Sequence, residues 1–194
     1  MTIAKKIDYK QLSPADFEQV IALANLVHGD GYLTAASMQD WYQKGLADQT
    51  QTDLGNVSYV AYHGDKLVGF RITYAANHWL IDEWCSPELW QTSIKQVCYF
   101  KCNTVDQHYR GYGVGSELLK RSITAAKTQG ASAGIAHLWQ ESPGNSAIKY
   151  FTKCGGQLLK IHPNKWHQAS IDGYDCILCG RDCHCSAAEM IIYF

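Results

Sequence analysis

The chain has 194 residues, of which 46% are hydrophobic, and its formal net charge at pH 7 is −1. A chain of this length can bury a sizeable core, and we treat residues 1–194 as a single domain. Charges of both signs are scattered along the sequence, which argues against a nucleic-acid-binding surface. No run of eighteen apolar residues occurs, so we expect no membrane partner either.

The N-terminus and the cysteines bear on location. Residues 1–6 are not followed by the apolar stretch that a secretory signal requires, so we predict a cytoplasmic protein. In that compartment the eight cysteines are expected to be thiols or metal ligands rather than disulfides.

The first half of the chain predicts a strand, two helices and a hairpin. Ser13 and Pro14 are typical of a helix start, and Gly29 is typical of a helix end. A His-Gly-Asp-Lys turn separates two β-prone runs. The predicted elements are a strand at 6–12, helices at 14–28 and 34–46, and strands at 57–62 and 67–74.

The second half predicts strands alternating with helices, and a glycine-rich turn joins its first strand to its first helix. The predicted elements are strands at 97–105, 134–139, 157–161, 174–179 and 186–194, and helices at 114–128 and 145–154.

The glycine-rich turn is the most informative feature of the sequence. Gly111, Gly113 and Gly115 let backbone N–H groups approach a ligand, and the helix that follows offers unpaired N–H donors. Arg110 adds a cation, so the turn predicts a pyrophosphate site. The lysine of a P-loop is missing, and the glycine spacing differs from that of a dinucleotide fingerprint. The alternative is that the glycines only turn the chain.

The pattern Arg-x-x-Gly-x-Gly, with Val105 five residues before Arg110, resembles the acetyl-CoA-binding motif of the GNAT acyltransferase superfamily. A second family segment reads roughly Asn-x-x-Ala-x-x-hydrophobic-Tyr-Glu-Lys-hydrophobic-Gly-Phe. Residues 144–156 resemble it, with Ala147 aligned, Gly144 at the usual asparagine position and Asn145 one residue later. The order of predicted elements over residues 6–180 is also similar to that of the family.

The resemblance implies an α+β fold of three layers, with a mixed, mostly antiparallel sheet flanked by helices. Residues 174–194 would add a cysteine-rich C-terminal strand region. The implied activity is transfer of an acetyl group from acetyl-CoA to a primary amine of a small molecule or peptide, by direct attack in a ternary complex. Two alternatives are an acyl-CoA-binding sensor without turnover and a metal-binding interaction module on the same fold.

The resemblance also implies the residues that bind acetyl-CoA. Backbone groups of the strand before the turn would guide the pantetheine arm, and N–H groups of the turn would hold the pyrophosphate. The implied positions are Asn103, Thr104, Val105, Arg110, Gly111, Tyr112, Gly113, Val114, Gly115, Ser116, Asn145 and Phe151.

The family often protonates the departing thiolate with the tyrosine of its second segment, but Phe151 occupies that position here. Tyr150 is the candidate acid, although one residue along a helix turns a side chain by about 100°. The alternative is that Tyr150 is an ordinary half-buried helix tyrosine. Water or another side chain are alternatives.

An aliphatic amine has a pKa of about 10, so it needs a base or a desolvated site. Residues 78–90 hold three of the six tryptophans and join the hairpin to the next strand. Glu83 is the preferred general base there, and Asp82 and His78 are the next candidates. The alternative is that these tryptophans fill a small core and the acids face water. His108 and His137 are weaker candidates.

Four cysteines lie within ten residues near the C-terminus: Cys176, Cys179, Cys183 and Cys185. The first pair has the spacing of a zinc knuckle, and the second pair is only one residue apart, so a structural zinc is one interpretation. The other is that the thiols pack as small hydrophobic groups. A long C-terminal strand would also form a sheet edge, which a second subunit of a homodimer could cover.

Overall fold

The computed structural model describes residues 6–48 and 52–194. Within them, seven strands form one sheet in the order β1-β2-β3-β4-β5-β7-β6. All neighbouring strands are antiparallel except β4 and β5, which confirms the mixed, mostly antiparallel sheet. The strands are β1 Asp8–Gln11, β2 Tyr59–His63, β3 Lys66–Tyr74, β4 Val97–Val105, β5 Ala133–Trp139, β6 Gln157–His162 and β7 Ala187–Tyr193.

Helices cover both faces of the sheet. Val20 of α1 and Met38 of α2 pack with Phe70 in one buried cluster, whereas Leu118 of α3 packs with Val68 in another. The helices are α1 Phe17–His28, α2 Ala35–Lys44, α3 Val114–Thr128, α4 Ser146–Lys153 and α5 His167–Ile171. Within the described ranges, no helix combines the length and the hydropathy that crossing a membrane requires.

Local sequence explains where the first helices begin. Ser13 donates its backbone N–H to Asp16 Oδ2 at 2.9 Å, and a short 3₁₀ turn there leads into α1. Gly29 ends α1 at a φ of 105°, a region that glycine enters without a Cβ penalty. Thr34 caps α2, because its hydroxyl accepts the backbone N–H of Ser37 at 3.2 Å.

The middle of the sheet is split. β4 and β5 pair only at their first residues, Val97 to Tyr99 against Ala133 to Ile135. Beyond that point both strands continue without pairing to each other, so β4 presents an open backbone edge. The register of β4 against β3 also shifts between Ile72 and Thr73. This divergence leaves backbone groups of β4 free beside the strand, as the implied contacts with a pantetheine arm require.

The C-terminal region differs from the prediction. Residues 174–179 are not a strand, because Cys176 and Gly180 exchange backbone hydrogen bonds of 3.0 and 2.8 Å that close a tight loop. Ile177 and Leu178, which made this segment look like a strand, are 57% and 58% exposed. The five-residue helix α5 was not predicted.

The C-terminal strand β7 is not at an edge. It lies between β5 and β6, and residues 187–192 are buried. The edge on this side is β6, where Leu158 is exposed. The reason given for a homodimer, an uncovered C-terminal edge strand, is therefore wrong.

Candidate active site

A cavity of about 1090 Å³ opens where β4 and β5 diverge. Its walls come from both helical layers, the two diverging strands and the cysteine-rich segment. Residues that line it include Tyr32, Asn103, Leu138, Tyr150, Lys165 and Cys176.

The glycine-rich turn lies at the end of β4 and leads into α3. Gly111 and Gly113 have φ values of 81° and 79°, and a Cβ built on either would meet no atom within 4 Å. Gly113 is the N-cap of α3 and has no side chain, so the first N–H groups of the helix lack a side-chain cap. The turn therefore offers open space beside unpaired donors at the positive end of a helix dipole.

Two neighbours extend this turn into a binding surface. Arg110 donates from Nε to the carbonyl oxygen of Val105 at 3.1 Å, which holds an exposed cation beside the turn. The amide oxygen of Asn103 is buried and has no hydrogen-bond partner among the described residues. Thr104 points to the other face of the sheet, where its hydroxyl lies 2.9 Å from His28 Nε2. The donors and the open edge of β4 fit a pyrophosphate followed by an amide-containing arm.

Tyr150 joins this turn to the cavity. Its hydroxyl donates to the carbonyl oxygen of Gly115 at 3.0 Å and accepts from Arg71 Nη1 at 3.3 Å. Burial raises the pKa of Tyr150 to about 12, so the phenol keeps its proton near neutral pH. Tyr150 can therefore act as a proton donor at the point where the splayed strands meet the turn.

Phe151 and Asn145 lie elsewhere. Phe151 is fully buried and packs edge-to-face against Phe100, with ring centroids 5.9 Å apart, so it does not line the cavity. The turn of about 100° per helical residue explains why Tyr150 faces the cavity and Phe151 the core. Asn145 is an exposed, left-handed residue at the start of α4 with a φ of 54°.

The candidate bases of residues 78–90 separate in space. His78 and Asp82 line the cavity, whereas Glu83 is exposed and does not. Asp82 Oδ1 accepts the backbone N–H of Trp84 at 3.0 Å. His78 Nε2 lies 2.7 Å from Asp48 Oδ1.

The tryptophans of this segment divide between two roles. Trp90 is fully buried and donates from Nε1 to Glu189 Oε1 at 2.9 Å, as the small-core alternative predicts. Trp79 lines the cavity and stacks on Tyr99, with ring centroids 5.0 Å apart.

Comparison with known proteins decides the family. A model of the Acetyltransferase (GNAT) family matches residues 22–156, which is more than half of the chain. The chain belongs to the GNAT family. No curated protein matches the sequence.

Solved structures of GNAT type share the fold at low sequence identity. A GNAT-family acetyltransferase of Streptococcus pneumoniae is 16% identical with a TM-score of 0.67, over 97% of this chain and all of that one. A putative acetyltransferase of Salmonella typhimurium, yncA, solved with its cofactor acetyl-CoA, is 14% identical with a TM-score of 0.66, over 97% and 94% of the chains. Arabidopsis thaliana Naa50, in complex with the bisubstrate analogue CoA-Ac-MVNAL, is 18% identical with a TM-score of 0.63, over 97% and 99%.

Two residues that line the cavity, Tyr99 and His137, form a hydrogen-bonded pair that the sequence did not reveal. The hydroxyl of Tyr99 lies 3.2 Å from His137 Nδ1, and His137 Nε2 lies 2.6 Å from the carbonyl oxygen of Trp84. A carbonyl only accepts, so Nε2 carries the hydrogen and Nδ1 accepts from Tyr99. Burial lowers the pKa of His137 to about 4, so its ring is neutral near pH 7. His108, the other weaker candidate, is exposed.

A buried carboxylate ties the tryptophan-rich segment to β7. Glu189 is fully buried and accepts from the backbone N–H of Ser86, from Trp90 Nε1 and from His162 Nε2, each at 2.9 Å. Its position inside an otherwise apolar strand is the sequence signal that could have revealed it.

The four C-terminal cysteines come together beside the cavity. Their sulfur atoms all lie within 4.8 Å of one another, and each is a free thiol. Cys176, Cys183 and Cys185 are buried next to Trp139, and Cys179 is exposed. This geometry could hold a metal ion.

Proposed function

We propose that the protein is an N-acetyltransferase that moves an acetyl group from acetyl-CoA to a primary amine by direct attack in a ternary complex. The observation that carries this proposal is the continuous path from the uncapped start of α3, along the open edge of β4, into the cavity beside Tyr150. Family membership and the acetyl-CoA bound by the Salmonella typhimurium relative support the donor.

Donor binding would use backbone groups at one end of the path. N–H groups of residues 111–116 would receive the pyrophosphate, with Arg110 beside them. Residues 103–105 would offer backbone partners to the pantetheine arm where β5 has left the edge free. The unpaired amide oxygen of Asn103 is available to a donor group of that arm.

Tyr150 would supply the proton for the departing thiolate. Its raised pKa keeps the proton on the phenol oxygen near neutral pH, so that proton is present to pass to the departing sulfur as the C–S bond breaks. Arg71 is 2% exposed and donates to that oxygen, so it would also stabilise the phenolate left behind.

The base remains a choice between three residues. We keep Glu83 as the proposed base, but Asp82 and His78 have the better positions because they line the cavity. Water linking Glu83 to the amine would reconcile its exposed position with that role.

The cavity walls favour an acceptor with an anionic group near its amine. Among the described lining residues, Lys44, Lys101 and Lys165 accompany a single carboxylate, that of Asp82. Lys44 is paired with Asp40 at 2.6 Å, which leaves two lysines for a ligand. Glu83 and Glu88, whose charges would favour a cationic amine, are exposed outside the cavity.

A two-step experiment tests this function. Acetyl-CoA is titrated into the protein in a calorimeter, and release of free CoA thiol is then measured with a panel of amines. The panel pairs each amino acid or short peptide with its C-terminal amide, so that the carboxylate is the only difference. We expect binding, turnover and a preference for the free carboxylates.

Other outcomes would redirect the proposal. Binding without turnover across the panel would support an acyl-CoA-binding sensor. Absence of acetyl-CoA binding would refute the proposed function. Turnover that favours the amides would refute only the acceptor class. A cytoplasmic location stays a prediction.

A further inference from the structure

The four C-terminal thiols have the spacing of ligands around one ion. A tetrahedral zinc with Zn–S bonds of about 2.3 Å places its sulfur atoms about 3.8 Å apart. Here all four sulfurs lie within 4.8 Å of one another, and Cys179 and Cys185 are 3.6 Å apart. A disulfide would require about 2.05 Å, and all four cysteines are free thiols.

The backbone around the thiols forms a loop that turns inward. Cys176 and Gly180 exchange backbone hydrogen bonds, and Gly180 has a φ of 70°, which places Cys176 and Cys179 on one tight turn. The backbone N–H of Cys183 donates to Ser170 Oγ at 2.9 Å, which anchors the second pair to α5. Two separate anchors therefore bring the two cysteine pairs together.

Apolar packing alone gives this loop little support. Ile177 and Leu178, its largest aliphatic side chains, are more than half exposed. The small cluster beneath it consists of three buried cysteines and three partly buried aromatic residues. A loop that keeps its apolar side chains in water and its thiols inside is typical of a site held by a metal.

We propose that Cys176, Cys179, Cys183 and Cys185 bind one zinc ion as thiolates. This structural site would fix the part of the cavity wall that Cys176, Ile177 and Cys183 form, which we call the acceptor wall. A set of four thiolates suits zinc or iron and leaves no open coordination position for a substrate, so the role is structural. Binding of Zn²⁺ by four thiols releases their protons, up to four for each ion.

His184 lies between two of the ligands in sequence but is not one of them. Its Nδ1 lies 3.0 Å from Asn164 Oδ1 and its Nε2 lies 3.2 Å from Asp182 Oδ1. The ring also stacks on His167 with centroids 4.8 Å apart. Both ring nitrogens are therefore engaged away from the thiols.

The link to the acceptor comes from the cavity itself. Cys176, Ile177 and Cys183 line the same cavity as Tyr150 and Asn103. Fixing the loop would fix this wall, whereas the glycine-rich turn at the end of β4 does not line the cavity and would be untouched. This part of the inference rests on the proposed function, but the zinc site does not.

Metal content is the first test. Protein purified without chelator is analysed for zinc and iron by mass spectrometry of the elements, beside Cys179→Ser and the control Cys154→Ser. Cys179 is exposed, so its loss removes a ligand with little effect on packing. We expect one zinc per chain in the wild type and in the control, and at least a tenfold weaker retention of zinc against a competing chelator in Cys179→Ser.

Cobalt substitution gives a second readout that does not need turnover. Co²⁺ added to chelator-treated, reduced protein is expected to give the visible and thiolate charge-transfer bands of a tetrahedral cysteine site, with the release of up to four protons for each ion. Stoichiometric iron, disulfides among the four cysteines, or no metal in reduced protein supplied with zinc would each overturn the site.

The effect of zinc on the acceptor wall is measured separately, by comparing the KM for the amine with the Kd for acetyl-CoA. Removal of zinc is expected to raise the KM for the amine about tenfold and to leave the Kd for acetyl-CoA within twofold of its original value. An unchanged KM in zinc-free protein would overturn the link to the acceptor wall. If no amine is turned over, the metal content and the cobalt spectrum still decide the site.

Discussion

The glycine at the start of α3 allows a sharp test of the acetyl-CoA site. Gly113 has a φ of 79°, and a methyl group added there would meet no atom of the described chain within 4 Å. Gly113→Ala therefore carries only the backbone cost of the left-handed region, about 1–2 kcal/mol. For a chain of this size that lowers the Tm by about 2–8 °C.

The methyl group also enters the space that the pyrophosphate would occupy. We expect Gly113→Ala to weaken acetyl-CoA binding at least tenfold, or by about 1.4 kcal/mol, and Gly113→Glu to abolish it because the added carboxylate repels phosphate. Calorimetric titration measures the affinity, and thermal unfolding without ligand measures the backbone cost.

Gly130→Ala is the matched control. Gly130 has a φ of 95°, also has open space around its Cβ position, and lies just beyond the other end of α3. It is about 25 Å away at 1.5 Å per helical residue. The control should show a similar fall in Tm with unchanged affinity. If both alanine variants bind acetyl-CoA as tightly as the wild type, the phosphate site is misplaced.

Three further predictions concern the cavity. Tyr150→Phe should lower kcat at least a hundredfold and leave the Kd for acetyl-CoA within threefold, and a kcat within a factor of three would exclude Tyr150 as the acid. Asp82→Asn and Glu83→Gln should be compared by kcat against pH: loss of the acidic limb in one variant identifies the base, because a base stops working when it is protonated, and two unchanged profiles exclude both. The pKa of His137 is lowered to about 4 in the folded protein, against an ordinary value near 6.5. Between these pH values the imidazole is protonated in the unfolded chain but not in the folded one, so the free energy of unfolding falls as the pH falls. Urea unfolding measures how far the free energy of unfolding falls between pH 7 and pH 4. This fall should be up to about 3 kcal/mol smaller in His137→Gln than in the wild type, and equal falls in the two proteins would contradict the lowered pKa of His137.

Much of the fold could be predicted because strong local signals agree with the tertiary structure. β4 and α3 have the predicted bounds, since a β-prone run, a glycine turn and an amphipathic run follow one another without ambiguity. The strand predicted at 174–179 was wrong because Ile177 and Leu178 lie in a solvent-facing loop, and the cysteine side chains make the inward contacts instead. The position of β7 between β5 and β6 depends on long-range pairing that no local pattern records.

Sequence was informative for the part of the candidate site that backbone groups form. It was much less informative for the part that depends on the direction in which side chains point. The glycine-rich turn needed only residue types and spacing. The choice between Tyr150 and Phe151 depended on the phase of α4, which begins after two left-handed residues, Gly144 and Asn145. The pairing of Tyr99 with His137 required the splay of β4 and β5 to be known first.

The position of β7 also has a consequence for how the protein is made. During synthesis β6 emerges from the ribosome before the strand that connects it to the rest of the sheet. Until residues 187–193 emerge, the edges of β5 and β6 both lack the partner that β7 provides. Nascent chains are therefore expected to gain protease resistance late and in one step, and a stalled chain that ends before residue 187 should be a chaperone client.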